Sequence, residues 1–172
     1  MFEIVLVEPE IPPNTGNVGR LCVGIGARLH LVGPLGFSLD DRQLKRAGLD
    51  YWKDLELMVW DSWQEFTTEY GDSSRWHLHS ARQGVPPWEA PPERGDFLIF
   101  GRETKGLPKT LLDTHPDRCR RLPTPGYGDG REVRSLNLSG SVAAAAYLGM
   151  SRLMGSAEAQ PQPPGCSHPA AN

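Results

Sequence analysis

Phe97-Leu98-Ile99-Phe100-Gly101-Arg102-Glu103-Thr104-Lys105-Gly106-Leu107-Pro108 is the stretch on which the fold turns. Its first four residues form an unbroken apolar run. A strand with one wet face alternates apolar and polar residues, so a continuous run reads as a strand buried on both faces, central in a sheet. The loop that follows is rich in glycine and charge. Gly101 and Gly106 bracket four residues, as in a P-loop, but a P-loop continues with Lys and Ser or Thr. Leu107 and Pro108 stand there instead, which excludes triphosphate binding by this loop. What remains is either a plain strand-to-helix turn or a binding loop at the end of a central strand.

Outward from this run, strand-like and helix-like segments alternate. Glu3–Val7 is a short apolar strand, and the prolines at 9, 12 and 13 read as loop. Asn14–Ala27 reads as a helix, with Val18, Leu21, Cys22 and Ile25 at helical spacing. Arg28–Gly33 is the next strand, and Asp40–Ala47 a short helix closed by Gly48. Leu55–Trp60 alternates like a strand, Ser62–Tyr70 is a helix closed by Gly71, and Trp76–His79 is a strand. Pro108–Leu112 fits a first helical turn, and Cys119–Leu122 is the last strand. Ser139–Met154 is the clearest helix, with alanines at 143–146. The repeated order predicts an α/β fold, a mostly parallel sheet covered by helices, with ligands at the carboxyl ends of the strands. The loops after Val7, Phe100 and Leu122 are therefore the places for a site.

The chain has 172 residues, 38% of them hydrophobic and 23% charged, with a net charge of -3. That suits one globular domain, expected over residues 1–155. Residues 156–172 hold four prolines and no large apolar side chain, and are expected to be a disordered tail. No run approaches the roughly 20 apolar residues of a membrane span. The start lacks the pattern of a signal peptide. Three well-separated cysteines, Cys22, Cys119 and Cys166, suggest a reducing compartment, so the expected location is cytoplasmic.

Two further motifs stand out. In Asn14-Thr15-Gly16-Asn17-Val18-Gly19-Arg20, Asn14 is a potential helix cap, and Arg20 lies on a helix with apolar neighbours. That cation is either solvated or needs a partner or an anionic ligand. In Arg134-Ser135-Leu136-Asn137-Leu138-Ser139-Gly140-Ser141, Ser139 or Ser141 suits an N-cap, while Asn137 between leucines needs hydrogen-bond partners if buried. His77 and His79 share a strand face, but no Cys, Asp or Glu cluster completes a metal site. The five tryptophans read as core or interface. From Arg102 to Arg134 there are eight basic residues against five acidic ones. Arg118, Arg120, Arg121, Arg131 and Arg134 lie in that stretch and form a candidate patch for a polyanion.

These segments, in this order, resemble the SPOUT methyltransferases, and within them the small TrmL (YibK-like) branch. The likeness is carried by Glu8-Pro9-Glu10-Ile11-Pro12-Pro13-Asn14-Thr15-Gly16-Asn17 with Arg20-Leu21-Cys22, and by Arg46-Ala47-Gly48-Leu49-Asp50-Tyr51. Gly101-x-Glu103-Thr104-x-Gly106-Leu107-Pro108 and Arg134-Ser135-Leu136-Asn137-Leu138-Ser139 complete it, so that it runs from about Met1 to Leu153. The resemblance implies a parallel sheet whose C-terminal part is tied in a trefoil knot. It implies a homodimer with a site shared between protomers, and S-adenosylmethionine as methyl donor. The substrate would be the ribose 2′-hydroxyl of the wobble nucleotide, in the anticodon loop of tRNA. By motif position, Arg20, Asn14, Glu103 and Asn137 match the family's functional polar residues. The cofactor would lie against His79, Gly101, Leu122 and Ser135, with Leu78 the alternative at the fourth strand's end. The chain departs from the branch between Leu122 and Ser135, where residues 123–134 make a longer loop.

For such chemistry the protein's part is positioning and proton removal. Arginine holds its proton too tightly to be an ordinary base, so electrostatic stabilisation of a developing alkoxide is the expected role of Arg20. A ribosomal-RNA 2′-O-methyltransferase of the same superfamily and an RNA-binding protein without catalysis are the alternatives.

Overall fold

A computed structural model describes residues 1–39, 51–126, 133 and 135–155. Six strands form one sheet: β1 (Glu3–Val7), β2 (Arg28–Val32), β3 (Leu57–Trp60), β4 (Trp76–His79), β5 (Phe97–Phe100) and β6 (Cys119–Arg120). Their spatial order is β3-β2-β1-β5-β4-β6, and every pair is parallel. Among the described residues four α-helices accompany them: α1 (Pro12–Ile25), α2 (Trp63–Tyr70), α3 (Lys109–Thr114) and α4 (Leu138–Met154). The α/β reading and the central place of Phe97–Phe100, between β1 and β4, are both observed.

The central strands β1 and β5 are apolar because each is covered on both faces, whereas the edge strand β3 leaves Met58 and Val59 exposed. Ile4, Leu6, Leu29, Leu31, Leu98 and Phe100 point to one core with Val18, Cys22 and Ile25 of α1 and Val142, Ala145 and Ala146 of α4. Val5, Val7, Val32, Leu78, Phe97 and Ile99 point the other way, to Phe66 of α2 and Leu112 of α3. Successive residues alternate between two dry faces, so no polar position interrupts the run. One polar group is accommodated among aromatic rings. The Trp60 indole N–H can only donate, so it fixes His30 Nδ1 as acceptor at 3.1 Å. His30 Nε2–H then donates to Glu3 Oε2 at 2.9 Å.

Several boundaries differ from expectation for identifiable reasons. Pro12 and Pro13 are the first turn of α1, not loop, since Pro lacks the N–H that a first turn leaves unpaired. The helix ends at Ile25, where Gly26 takes the left-handed φ of 65°. The N-cap of α4 is Asn137, whose side chain accepts from Ser139 N–H at 2.8 Å, so neither Ser139 nor Ser141 caps it. The last strand stops at Arg120, short of Leu122. Trp88 is exposed, whereas Trp76 is core. The expected helix at Asp40–Ala47 with Gly48, the Arg46–Asp50 motif, Arg131, Arg134 and the tail lie outside the described residues.

Candidate functional site

The strand ends converge as parallel-sheet topology requires. A cavity of about 240 Å³ opens at the carboxyl ends of β4, β5 and β6. His79, Gly101, Leu122 and Ser135, the four residues expected to hold a cofactor, all line it, together with Ser80 and Leu136. Leu78, the alternative to His79, is fully buried in the opposite core. The His79 ring stacks on Phe100 at 4.3 Å between centroids. Both its nitrogens are buried without a hydrogen-bond partner among the described residues. Burial, reinforced by the neighbouring His77 and Arg120, pushes its pKa down to about 3, so the imidazole is neutral at physiological pH.

The cavity's walls are held by unusual backbone contacts. The Gly101 Cα lies so close to Gly106 and Leu107 that a Cβ would collide with their backbone. That approach closes the loop, with Gly106 at φ 71° donating its N–H to Arg102 O at 2.8 Å. On the far wall, β6 and its continuation are bound on two sides by one segment. Ser80 N–H donates to Arg120 O at 2.9 Å, and Arg121 N–H donates to Val85 O at 2.9 Å. Gly84, at φ 113°, backs onto Cys119 and Arg120 with no room for a side chain. Arg120 is 4% exposed and donates to the carbonyls of Ala90, Asp117 and Cys119. Its cation clamps the loop after β4 over β6. It therefore leaves the expected polyanion patch, which retains Arg118 and Arg121 among the described residues.

Three of the four expected catalytic residues form one hydrogen-bonded chain. Asn137 Nδ2 donates to Asn14 Oδ1 at 3.0 Å, and Asn14 Nδ2 donates to Glu103 Oε1 at 3.0 Å. The orientation of both amides is determined from either end. Ser139 N–H can only donate, so Asn137 turns its oxygen to Ser139 and its nitrogen to Asn14. The Glu103 carboxylate also accepts the N–H groups of Ile11, at 3.2 Å, and Glu10, at 2.8 Å. Glu10 answers by accepting from Thr104 N and Oγ1, at 3.2 and 2.7 Å. Residues remote in sequence thus lock the loops after β1 and β5 and the start of α4 into one body.

Arg20 is the exception. It is exposed, it does not line the cavity, and its guanidinium lies 5.9 Å from the centre of the Tyr51 ring. Tyr51 in turn donates its hydroxyl to Gly16 O at 2.6 Å. Within one chain, then, the structure brings together seven of the eight expected site residues and leaves Arg20 apart.

This architecture matches a known one. The SpoU rRNA methylase family model covers residues 1–147. The chain belongs to that family. The tRNA (cytidine(34)-2'-O)-methyltransferase of Burkholderia pseudomallei is 47% identical over 150 residues, 86% of this chain and 92% of that protein. The enzyme of the same description from Methylovorus glucosotrophus is 45% identical over 151 residues, again 86% and 92%. A solved structure described under 2-OH methylation of C/U34 on tRNA is 42% identical, with a TM-score of 0.81 over 90% of this chain and 97% of that one. The SpoU methyltransferase AviRb from Streptomyces viridochromogenes, solved with AdoMet, has a TM-score of 0.72 at 19% identity and shares the fold.

The amino-acid order of this SpoU-family chain does not mark Glu10 and Thr104 as partners, and it gives Arg120 a surface role in place of its internal one. Glu10 and Thr104 are 94 residues apart and carry no periodic signal. Arg120 stands in a basic run that reads as surface. The lock makes a sharp prediction. Asn14 is 5% exposed, and Asn14→Asp keeps its size but sets a carboxylate oxygen against Glu103. At neutral pH the variant should lose about 3 kcal/mol of unfolding free energy. Repulsion raises the folded-state pKa of the pair, so the folded form binds more protons than the unfolded one between the two values. The deficit is full above the raised folded value and shrinks as the pH falls through it toward the ordinary carboxylate value of about 3.9. Denaturant melts across pH check this; a deficit independent of pH would contradict it.

Proposed function

We propose that this protein is a tRNA (cytidine(34)/uridine(34)-2′-O)-methyltransferase using S-adenosylmethionine. The observation that carries the reading is the joining of Asn14, Glu103 and Asn137 beside a cavity lined by His79, Gly101, Leu122 and Ser135, in a chain of this family. The cavity fits a nucleoside donor on its own evidence. Its walls are turns at strand ends, and it holds an imidazole whose nitrogens lack partners. The donor, when bound, supplies an electrophilic methyl group on a sulfonium. The residues of this chain supply the rest. The Gly101, Leu122 and Ser135 turns present backbone to the nucleoside. The Asn14–Asn137–Glu103 chain keeps the loop after Gly101 and the start of α4 in register for attack by a ribose 2′-hydroxyl. Arg20 stabilises the oxygen while its proton passes to water, and the electron pair of the broken carbon–sulfur bond stays on the departing thioether.

Two further parts belong to this reading. The trefoil knot is supported by the way Cys119–Arg121 runs between Leu78–Ser80 and Val85, bonded to both. A homodimer is supported by exposed apolar side chains: Ile11 beside Glu103, Leu136 in the cavity wall and Tyr147 on α4, which are 43%, 47% and 58% exposed. In that dimer Arg20 of the partner subunit completes the site. Among the described residues no helix is long and apolar enough to cross a membrane. A tRNA substrate supports a cytoplasmic location.

The test is incubation with methyl-labelled S-adenosylmethionine and separated RNAs, followed by mapping of the label. Label at the wobble ribose of tRNA is the expected result. Label confined to ribosomal RNA would move the substrate, and label in neither would leave an RNA-binding protein.

A further inference from the structure

Beside the cavity lies a second cleft, of about 470 Å³, which the assigned chemistry does not use. Its walls carry Arg82, Arg102, Lys105 and Lys109 against one acid, Glu8. In a chain with a net charge of -3 this is a pronounced local reversal of sign. Two of the four cations are neutralised, Arg102 by Glu8 and Lys109 by Asp113. Arg82 and Lys105 have no carboxylate partner among the described residues, and both are exposed. They come from different loops, after β4 and after β5, and line both this cleft and the adjoining cavity. The cleft and the donor cavity share Arg82, Arg102, Lys109 and the wall from Thr104 to Leu107, so a ligand in one lies next to a ligand in the other.

We propose that this cleft binds the sugar–phosphate backbone of the RNA substrate, with Arg82 and Lys105 as phosphate contacts. The inference rests on the reading above and extends it to where the substrate's charge is held. A ribose methylated inside a chain carries its 3′-phosphate on the carbon next to the reacting 2′-hydroxyl. Holding that hydroxyl against the donor therefore brings at least one phosphate within a few ångströms of the cavity mouth. The unpaired cations stand at that mouth, whereas Arg120 is committed to three carbonyls inside the protein. Phosphate contacts of this kind fix register without reading sequence.

The experiment compares the unaltered protein, the Arg82→Ala/Lys105→Ala variant and the charge-keeping Arg82→Lys/Lys105→Arg variant. Filter binding of tRNA over a salt series gives affinity and salt slope, and calorimetry gives S-adenosylmethionine affinity. The alanine pair should bind tRNA at least about tenfold more weakly at low salt, with the slope of log K against log salt shallower by about 1.4. The charge-keeping pair should match the unaltered protein, and donor affinity should stay within about twofold in both. Unchanged tRNA affinity and slope in the alanine pair would overturn the inference and leave the methyltransferase reading standing. Loss of donor affinity with tRNA binding intact would overturn it too, by assigning the cations to the donor's own carboxylate. An unaltered protein that binds no tRNA would overturn both.

Discussion

Gly101→Ala is expected to cost about 3 kcal/mol of stability and to lower methyl transfer by at least about 100-fold. The added methyl would meet backbone atoms of Gly106 and Leu107, not the end of a flexible side chain. Neither neighbour can yield cheaply. Leu107 is 5% exposed and packed in the second core, and Gly106 N–H is bonded to Arg102 O. The loop from 101 to 107 would have to open, and with it the shared wall of cavity and cleft. Gly24→Ala is the matched control. Gly24 lies on α1, where an added methyl would meet nothing within 4 Å, so alanine there should stabilise by up to about 1 kcal/mol. Denaturant unfolding with calorimetric titration of the donor checks both. A Gly101→Ala variant that melts and binds like the unaltered protein would show that the loop's closeness is not needed.

The strands were legible in the amino-acid order because double burial leaves a one-dimensional mark. Phe97–Phe100 has no polar residue, and neither face of β5 meets water. The helix starts were less legible, because competing side chains obey the same rule. Asn137, Ser139 and Ser141 are all good caps, and the contact with Asn14 across 123 residues decides between them. The same holds for the site. Glycines and amides at strand ends marked the loops, and the loops proved to meet. That Asn14 binds Glu103 and Glu10 binds Thr104 depends on β1 lying beside β5, a pairing no local pattern encodes. The basic run around Arg120 misled in the opposite direction. A cation satisfied by three carbonyls looks, in sequence, like a cation in water.

Arg20→Ala carries the other large effect, a fall in turnover of about 10²–10³-fold with donor affinity nearly unchanged. The separation of Arg20 from the cavity sets how this should be tested. If one chain supplied every group, mixing two inactive variants could restore nothing. If Arg20 acts across a dimer, an Arg20→Ala chain still carries a sound cavity, and an Asn137→Ala chain still carries a sound Arg20. A mixed dimer of the two then has one complete site. With random pairing, half the dimers are mixed and half their sites are complete, so co-expression should recover about a quarter of normal activity. Each variant alone should stay near background. Tyr51 offers an independent handle on the same arginine, since its ring lies under the guanidinium and its hydroxyl holds Gly16. Tyr51→Phe, which keeps the ring and loses the hydroxyl, should lower turnover far less than Arg20→Ala. Recovery in the mixed dimer places the stabilising cation on the opposite subunit; no recovery, with both variants folded and dimeric, would remove Arg20 from a shared site.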